Sequence, residues 1–150
     1  MIYFEDLEIG ATKITGSRPV SAEEIIEFAR QFDPQPFHLD PVAAEQSVFG
    51  GLVASGFHTA AMMMSLSVSH GVVDRGFLFS PGFDDMRWLK PVRPGDSLHV
   101  KSTCLEKSPS RSRPDIGSVR FRTEVLNQHG DVVMSVINIG IIKLRNSKPL

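Results

Sequence analysis

The amino-acid sequence predicts an α+β domain in which an antiparallel sheet wraps around one long, uncharged helix. Three observations lead to this prediction. The first half of the chain has an amphipathic helix pattern, residues 46–73 contain no Lys, Arg, Asp or Glu, and the second half changes to strands with a period of two. With 150 residues, the chain has the length of one ordinary domain, so a single domain over residues 1–150 is expected.

The first helix is predicted to begin at Ser21, because Ser21 and Glu24 have the spacing of a capping box. Four apolar residues follow at the spacing of one helix face: Ile25, Phe28, Ala29 and Phe32. Asp33 precedes Pro34, which disfavours the α conformation in the residue before it. The helix is therefore expected to end there and to release residues 33–38 as a rigid loop.

The uncharged segment is interpreted as a buried helix. Asp40 and Pro41 form an N-cap and first-turn pair that predicts a short helix through about Gln46. A longer helical run begins at Gly56 and is stopped by Gly71. Glycine, serine and histidine interrupt the segment too often for a helix that faces lipid, so it is expected to lie in the middle of the fold.

The second half of the chain has the pattern of half-exposed antiparallel strands. Two sets of alternating residues each share one strand face: Leu98, Val100, Ser102 and Cys104, and Val119, Phe121, Thr123 and Val125. A polar connection at 108–117 and a hairpin loop at 127–131 separate these strands from their neighbours. The apolar run from residue 132 is expected to lie centrally. Further strands are predicted at residues 86–92 and near 13–20.

Composition and charge exclude several classes of function. Hydrophobic residues make up 41% and charged residues 22%, as in ordinary globular proteins. The net charge of -1 argues against nucleic acid as a partner. Cys104 is the only cysteine, and the histidines have no metal-ligand spacing, so no disulfide and no metal site are expected. The first residues do not have the pattern of a secretory signal, so a cytoplasmic location without membrane attachment is expected.

One group of residues in the sequence is suited to add water to a double bond that is activated by a neighbouring thioester. This reaction needs a base for the water, an acid for the α-carbon and donors for the enolate oxygen. Asp33 and His38 lie on a loop stiffened by Pro34 and Pro36, so one water could bind between the carboxylate and the imidazole. The backbone amide of Gly56, at the start of the uncharged helix, is suited to hold the oxygen.

At these residues the chain resembles the MaoC-like dehydratases, the family of (R)-specific enoyl-CoA hydratases with a hot-dog fold, whose signature is D-x-N-P-x-H. The matching segment here is DPQPFH at 33–38, and the resemblance continues through FGGLVASG and KPVRPGDSL. It implies that Asp33 and His38 activate the water and that Gly56 contributes to an oxyanion hole. Gln35 replaces the asparagine of the signature and is expected to contact the substrate.

The resemblance also implies the activity and the partners. The expected enzyme is a hydro-lyase that adds water to, or removes it from, the 2,3 double bond of an enoyl thioester such as enoyl-CoA, with an (R)-3-hydroxyacyl product. No cofactor is implied beyond coenzyme A as part of the substrate. A homodimer or a larger oligomer built from dimers is expected.

Two alternatives remain open: an acyl-CoA thioesterase with the same fold, and a noncatalytic module that binds acyl-CoA. Many such thioesterases have a carboxylate on or near the central helix, and residues 46–73 contain none. Two features of the helix are assigned structural roles. His58 is expected to be a core histidine with one hydrogen bond, and Met62, Met63 and Met64 are expected to fill the core.

Overall fold

The sheet in the computed structural model, which describes residues 1–145, is antiparallel. Its strands within these residues are β1 (Thr12–Ile14), β2 (Arg18–Pro19), β3 (Phe77–Trp88), β4 (Ser97–Pro109), β5 (Ile116–Leu126) and β6 (Val132–Lys143). The order across the sheet is β1-β4-β5-β6-β3, and β2 pairs with a further part of β4. The long apolar strand β6 therefore lies between two others, as predicted.

The helices precede most of the sheet in the chain. They are α1 (Ala22–Phe32), α2 (Pro36–Leu39), α3 (Pro41–Glu45) and α4 (Gly56–Ser69), and a short 3-10 turn covers Phe4–Asp6. The long helix α4 packs against the sheet, with Met62, Met63 and Leu66 in one core cluster with the inward residues of β4, β5 and β6. The prediction of a sheet around a central uncharged helix is confirmed.

Helix α1 begins and ends where its sequence indicates. The Ser21 side chain accepts a hydrogen bond from the backbone N–H of Glu24, and the helix ends at Phe32. In a complete capping box, the Glu24 carboxylate would accept the backbone N–H of Ser21. Here it accepts a hydrogen bond from Arg18 at 3.0 Å instead. Asp33 is the C-cap, with its backbone N–H bonded to the carbonyl of Ala29.

The expected loop at 33–38 is partly wrong, because its second half is the helical turn α2. Pro36 occupies the first helical position, where its fixed φ angle suits a helix and its missing N–H costs no bond. His38 therefore lies on a helical turn. The short helix α3 begins as predicted, with the Asp40 side chain accepting the N–H of Val42 at 2.9 Å.

The strands differ from the prediction at two places. Instead of one strand near 13–20, the chain forms β1 and β2, because the Thr15 hydroxyl between them accepts the N–H of Val100. Strand β3 begins at Phe77, well before the predicted residues 86–92, and its pairing with β6 shifts register three times. The predicted inward faces of β4 and β5 are buried as expected.

Within residues 1–145, no helix has the length and apolar character needed to cross a membrane. The predicted domain extends to residue 150, and its last residues, 146–150, lie outside the described part of the chain.

Candidate functional site

The sequence motif brings a carboxylate and an imidazole together. Asp33 caps α1 and His38 lies on α2, and the distance from His38 Nε2 to Asp33 Oδ2 is 3.3 Å. His38 is buried, with 5% of its surface exposed. The two prolines end one helix and start the next, and this tight connection turns both side chains toward one point.

The second ring nitrogen of His38 determines where its proton lies. Nδ1 is 2.6 Å from the carbonyl oxygen of Val53, and a carbonyl can only accept, so Nδ1 carries the hydrogen. In the neutral ring, Nε2 is then an acceptor that faces the Asp33 carboxylate, another acceptor. Two acceptors at this distance need a shared proton or a water that donates to both.

The Asp33 carboxylate has two further donors. The Ser55 hydroxyl donates to Oδ2 at 2.7 Å, and the Gln35 amide donates to Oδ1 at 2.8 Å. Burial alone would raise the pKa of Asp33, but the bonds from Ser55 and Gln35, together with the nearby His38, outweigh burial and lower the pKa below its ordinary value. Asp33 is therefore ionised at neutral pH. Gln35, expected to contact the substrate, here donates to the Asp33 carboxylate.

Ser55 is a site residue that the sequence analysis missed. It is fully buried, and its hydroxyl also accepts the N–H of Phe57, so that it caps the N-terminus of α4. One hydroxyl thus links the Asp33 carboxylate to the start of the central helix. The position of Ser55 directly before a helix start is the signal that indicates an N-cap.

Gly56 is the first residue of α4 and lies against Trp88. Backbone N–H groups in the first turn of a helix have no partner within the helix, so the Gly56 N–H is free for an outside acceptor. The Trp88 indole donates to the Gly56 carbonyl at 2.8 Å. A Cβ added at Gly56 would lie 2.5 Å from Cε2 of Trp88, so the indole ring leaves no room for a side chain.

The four predicted site residues, Asp33, Gln35, His38 and Gly56, line one cavity of about 430 Å³. We call it the motif cavity. Its walls include four aromatic rings, those of Phe37, Phe49, Phe57 and Trp88. Besides His38, the basic side chain in this lining is Lys90, which pairs with Asp131 at 3.0 Å. A mostly apolar cavity with a few converging polar groups is suited to an acyl group with a reactive end.

Residues beside the motif have the structural roles expected of them, with one exception. His58 is buried, its Nε2 is 3.4 Å from Oε1 of Glu24, and its ring stacks on Phe28. Burial lowers the pKa of His58 even though Glu24 is near, so this ring is neutral.

Met62 and Met63 belong to the core, but Met64 is 37% exposed and does not fill it. Residues 1–145 contain no cluster of three His, Cys, Asp or Glu side chains that could hold a metal ion.

Comparison with known proteins identifies the family. The family described as MaoC like domain matches residues 7–128. The uncharacterized protein YdeM of Bacillus subtilis is 33% identical over 119 residues, which are 79% of this chain and 84% of that protein. The 3-hydroxybutyryl-CoA dehydratase of Methylorubrum extorquens is 31% identical over 118 residues, covering 75% of this chain and 70% of that protein.

A solved structure agrees over the whole fold. The MaoC-like dehydratase from Rhodospirillum rubrum is 42% identical, with a TM-score of 0.92 and coverage of 100% of both chains. The hot-dog fold is thus confirmed, as is the architecture of an antiparallel sheet with a few helices. The chain belongs to the family of MaoC-like dehydratases.

Proposed function

We propose that the protein is a hydro-lyase that adds water to, or removes it from, the 2,3 double bond of an enoyl-CoA thioester, with an (R)-3-hydroxyacyl product. One observation supports this most strongly. Asp33 and His38 face each other as two acceptors 3.3 Å apart in the same cavity as the first N–H of α4. The name of the Methylorubrum relative supports a coenzyme A thioester of a hydroxy acid as the substrate class.

The water of the reaction binds between the two acceptors. It donates one hydrogen to Asp33 Oδ2 and the other to His38 Nε2, and this orients an oxygen lone pair toward C3 of the enoyl group. As the C3–O bond forms, a proton leaves the water for one member of the pair. Ser55 and Gln35 hold the Asp33 carboxylate in place and keep it ionised for this step.

The start of α4 stabilises the charge that develops. When hydroxide adds to C3, the electron pair of the double bond moves to the thioester carbonyl and forms an enolate. The Gly56 N–H, at the positive end of the helix dipole, donates to that oxygen. Gly56 has no side chain, so its backbone can approach the substrate closely, and Trp88 packs where a side chain would stand.

The same pair completes the reaction. The proton taken from water returns to C2, so the product contains all the atoms of the substrate and one water molecule. Because one water and one acid–base pair act from one side of the acyl chain, we expect syn addition. In the reverse direction the pair takes the C2 proton and returns it to the leaving hydroxide.

Crotonyl-CoA and butyryl-CoA separate the candidate functions. We expect loss of the enoyl absorbance with crotonyl-CoA and no release of free thiol from butyryl-CoA. Thiol release from the saturated ester would indicate a thioesterase, and binding of both esters without any reaction would indicate a noncatalytic module. Chiral analysis of the product tests the stereochemistry, since an (S) product would place the acid–base pair on the other face of the acyl chain.

A further inference from the structure

The side chain of Thr59 lies in the wall of the motif cavity and takes no part in the reaction steps described so far. Thr59 is the fourth residue of α4 and is only 2% exposed. It follows Gly56 by three residues and Ser55 by four, a spacing that places side chains on one face of a helix. Side chains of a helix also tilt toward its N-terminus. The Thr59 side chain is therefore directed toward the turn that contains the Gly56 N–H and the hydroxyl that holds Asp33.

The Thr59 hydroxyl is not bound by the protein. Hydroxyls inside a helix often donate to the carbonyl four residues earlier, as Ser67 does to Met63 at 2.8 Å. The Thr59 hydroxyl has neither this bond nor any other hydrogen bond within residues 1–145. In this part of the chain, the completely enclosed side-chain nitrogen or oxygen without a partner is His58 Nδ1. The Thr59 oxygen is thus not enclosed, and it opens into the motif cavity that Thr59 lines.

The other side-chain donors in the wall of the motif cavity are already engaged. They are the Gln35 amide, which donates to Asp33, the His38 ring, held by the Val53 carbonyl, the Trp88 indole, which donates to Gly56, and the Lys90 ammonium, paired with Asp131. In this wall, Thr59 is the side chain whose donor is left entirely for a bound molecule.

An enoyl thioester has one strong acceptor close to the reacting carbons. Its C2 and C3 are apolar, whereas its carbonyl oxygen has two lone pairs. In the proposed mechanism the Gly56 N–H uses one of these lone pairs. We propose that the Thr59 hydroxyl donates to the other and is the second donor of the oxyanion hole. This inference rests on the proposed function and adds a catalytic residue to it.

The surroundings of Thr59 strengthen such a donor. Three further residues of the cavity wall, Val53, Ala54 and Val92, are apolar and only 1%, 8% and 2% exposed. A hydrogen bond to a developing charge is stronger where apolar walls exclude water. A hydroxyl on the first turns of a helix also needs little reorganisation when the charge forms.

The carbonyl stretch of a bound thioester tests the hydrogen bond directly. Butyryl-CoA labelled with carbon-13 at the carbonyl is saturated, so it binds without being hydrated. We expect its infrared carbonyl band to move to lower frequency in the parent protein. The band should move less in Thr59→Val, which keeps the shape of the side chain and removes the donor, and as far as in the parent in Thr59→Ser. An equal shift in the parent and in Thr59→Val would overturn the inference.

Turnover of crotonyl-CoA measures the contribution of this donor in the transition state. Thr59→Val should lower kcat by about 10-fold to 10²-fold, at or somewhat below the usual effect of losing one oxyanion donor, with KM changed far less. Thr59→Ser should restore most of the rate. Ser67→Ala removes a buried hydroxyl of the same helix that is bound to Met63, and it should keep the parent kcat. A loss in Thr59→Val that Thr59→Ser fully shares would show that Thr59 only shapes the cavity.

The proposed function can fail separately from this inference. Hydration of crotonyl-CoA with a carbonyl band and a kcat that do not depend on Thr59 would overturn the inference and leave the reaction standing. A band shift that depends on Thr59, without any hydration, would overturn the reaction and keep the hydroxyl as a donor to the thioester oxygen. Absence of both hydration and butyryl-CoA binding would overturn both.

Discussion

Ser55 connects two parts of the site that are separate in the sequence. Its hydroxyl donates to the Asp33 carboxylate and accepts the N–H of Phe57 in the first turn of α4. A change at this residue should therefore affect both the ionisation of Asp33, the proposed base, and the start of α4, the helix with the proposed oxyanion donor. Single residues at such junctions allow the mechanism to be tested without removing the reacting groups.

The substitution Ser55→Ala should shift the pH dependence of the reaction. The bond from Ser55 stabilises the ionised form of Asp33 and so lowers the pKa of that carboxyl. Without the hydroxyl the pKa rises, and activity that needs ionised Asp33 is lost at a higher pH as the solution is acidified. We expect the acidic limb of the pH profile of kcat/KM to move to higher pH.

Two variants complete the Ser55 experiment. Ser55→Thr keeps the hydroxyl and should restore the position of the limb. Ser69→Ala, near the other end of α4, should not move it. An acidic limb at the same pH in Ser55→Ala and the parent would show that the Ser55 bond does not control the ionisation used in catalysis.

The sequence predicts the reacting residues better than those that support them. Asp33 and His38 are close in the chain, so proline and helix signals in one short segment are enough to place them together. Ser55 reaches Asp33 across 22 residues, and Trp88 reaches Gly56 across 32. Contacts of this kind depend on how α1, α4 and β3 pack, which no local pattern specifies.

At the scale of elements, the site depends on how the start of α4 meets the end of β3 and the flank of α1. Trp88 at the end of β3 packs on Gly56, and His58 in the first turn of α4 stacks on Phe28 of α1. The proposed mechanism needs glycine at residue 56 because the oxyanion must approach the backbone closely. The structure adds a different reason, the indole ring of Trp88.

A double-mutant cycle separates the two reasons why residue 56 is a glycine, the approach of the oxyanion and the packing of Trp88. Gly56→Ala should lower kcat/KM by about 10²-fold or more, because the displaced indole disturbs the oxyanion donor, within the range for loss of one such donor. In a Trp88→Ala background the same substitution should cost much less, since the new Cβ meets no ring. Equal losses in both backgrounds would show that the Cβ interferes with the substrate directly. Melting temperatures of all four proteins check that each is folded.

Element boundaries could be predicted where a local signal is strong. The cap at Ser21 and the proline after Asp33 define α1, and Gly56 and Gly71 enclose α4. The first nine residues of strand β3 were not predicted, because this part contains Pro81 and Gly82 and because β3 pairs with one neighbour only among residues 1–145. Edge strands tolerate proline and irregular register, so they lack the alternation that identifies an inner strand.

At the scale of the whole molecule, several large apolar side chains are exposed in the single chain. Phe57 and Val68 of α4 are 64% and 55% exposed, and Phe79 and Phe83 of β3 are 59% and 40% exposed. Strand β3 pairs only with β6 among the described residues, so its other edge has unpaired backbone groups. Exposed apolar side chains on α4 and β3, together with the free edge of β3, are suited to a second copy of the chain.

We therefore expect a homodimer in solution. Light scattering should give about twice the chain mass of 16.6 kDa at micromolar concentration. Val68→Glu replaces one of these exposed apolar side chains with a charge and should shift the protein toward monomer, whereas Ile9→Glu, an exposed position outside α4 and β3, should not. A parent protein that stays monomeric across this concentration range would contradict the dimer.

The hydration of crotonyl-CoA by the Asp33→Asn and His38→Ala variants tests the central claim most directly. The account predicts that each variant loses about 10²–10⁴ in kcat, with KM changed far less, because each leaves its partner without a useful function. The double variant should be about as poor as either single one. Asp115→Asn, a surface carboxylate paired with Arg113, should retain the parent rate. If both single variants keep more than about a tenth of the parent rate, the acid–base pair is not the catalytic site.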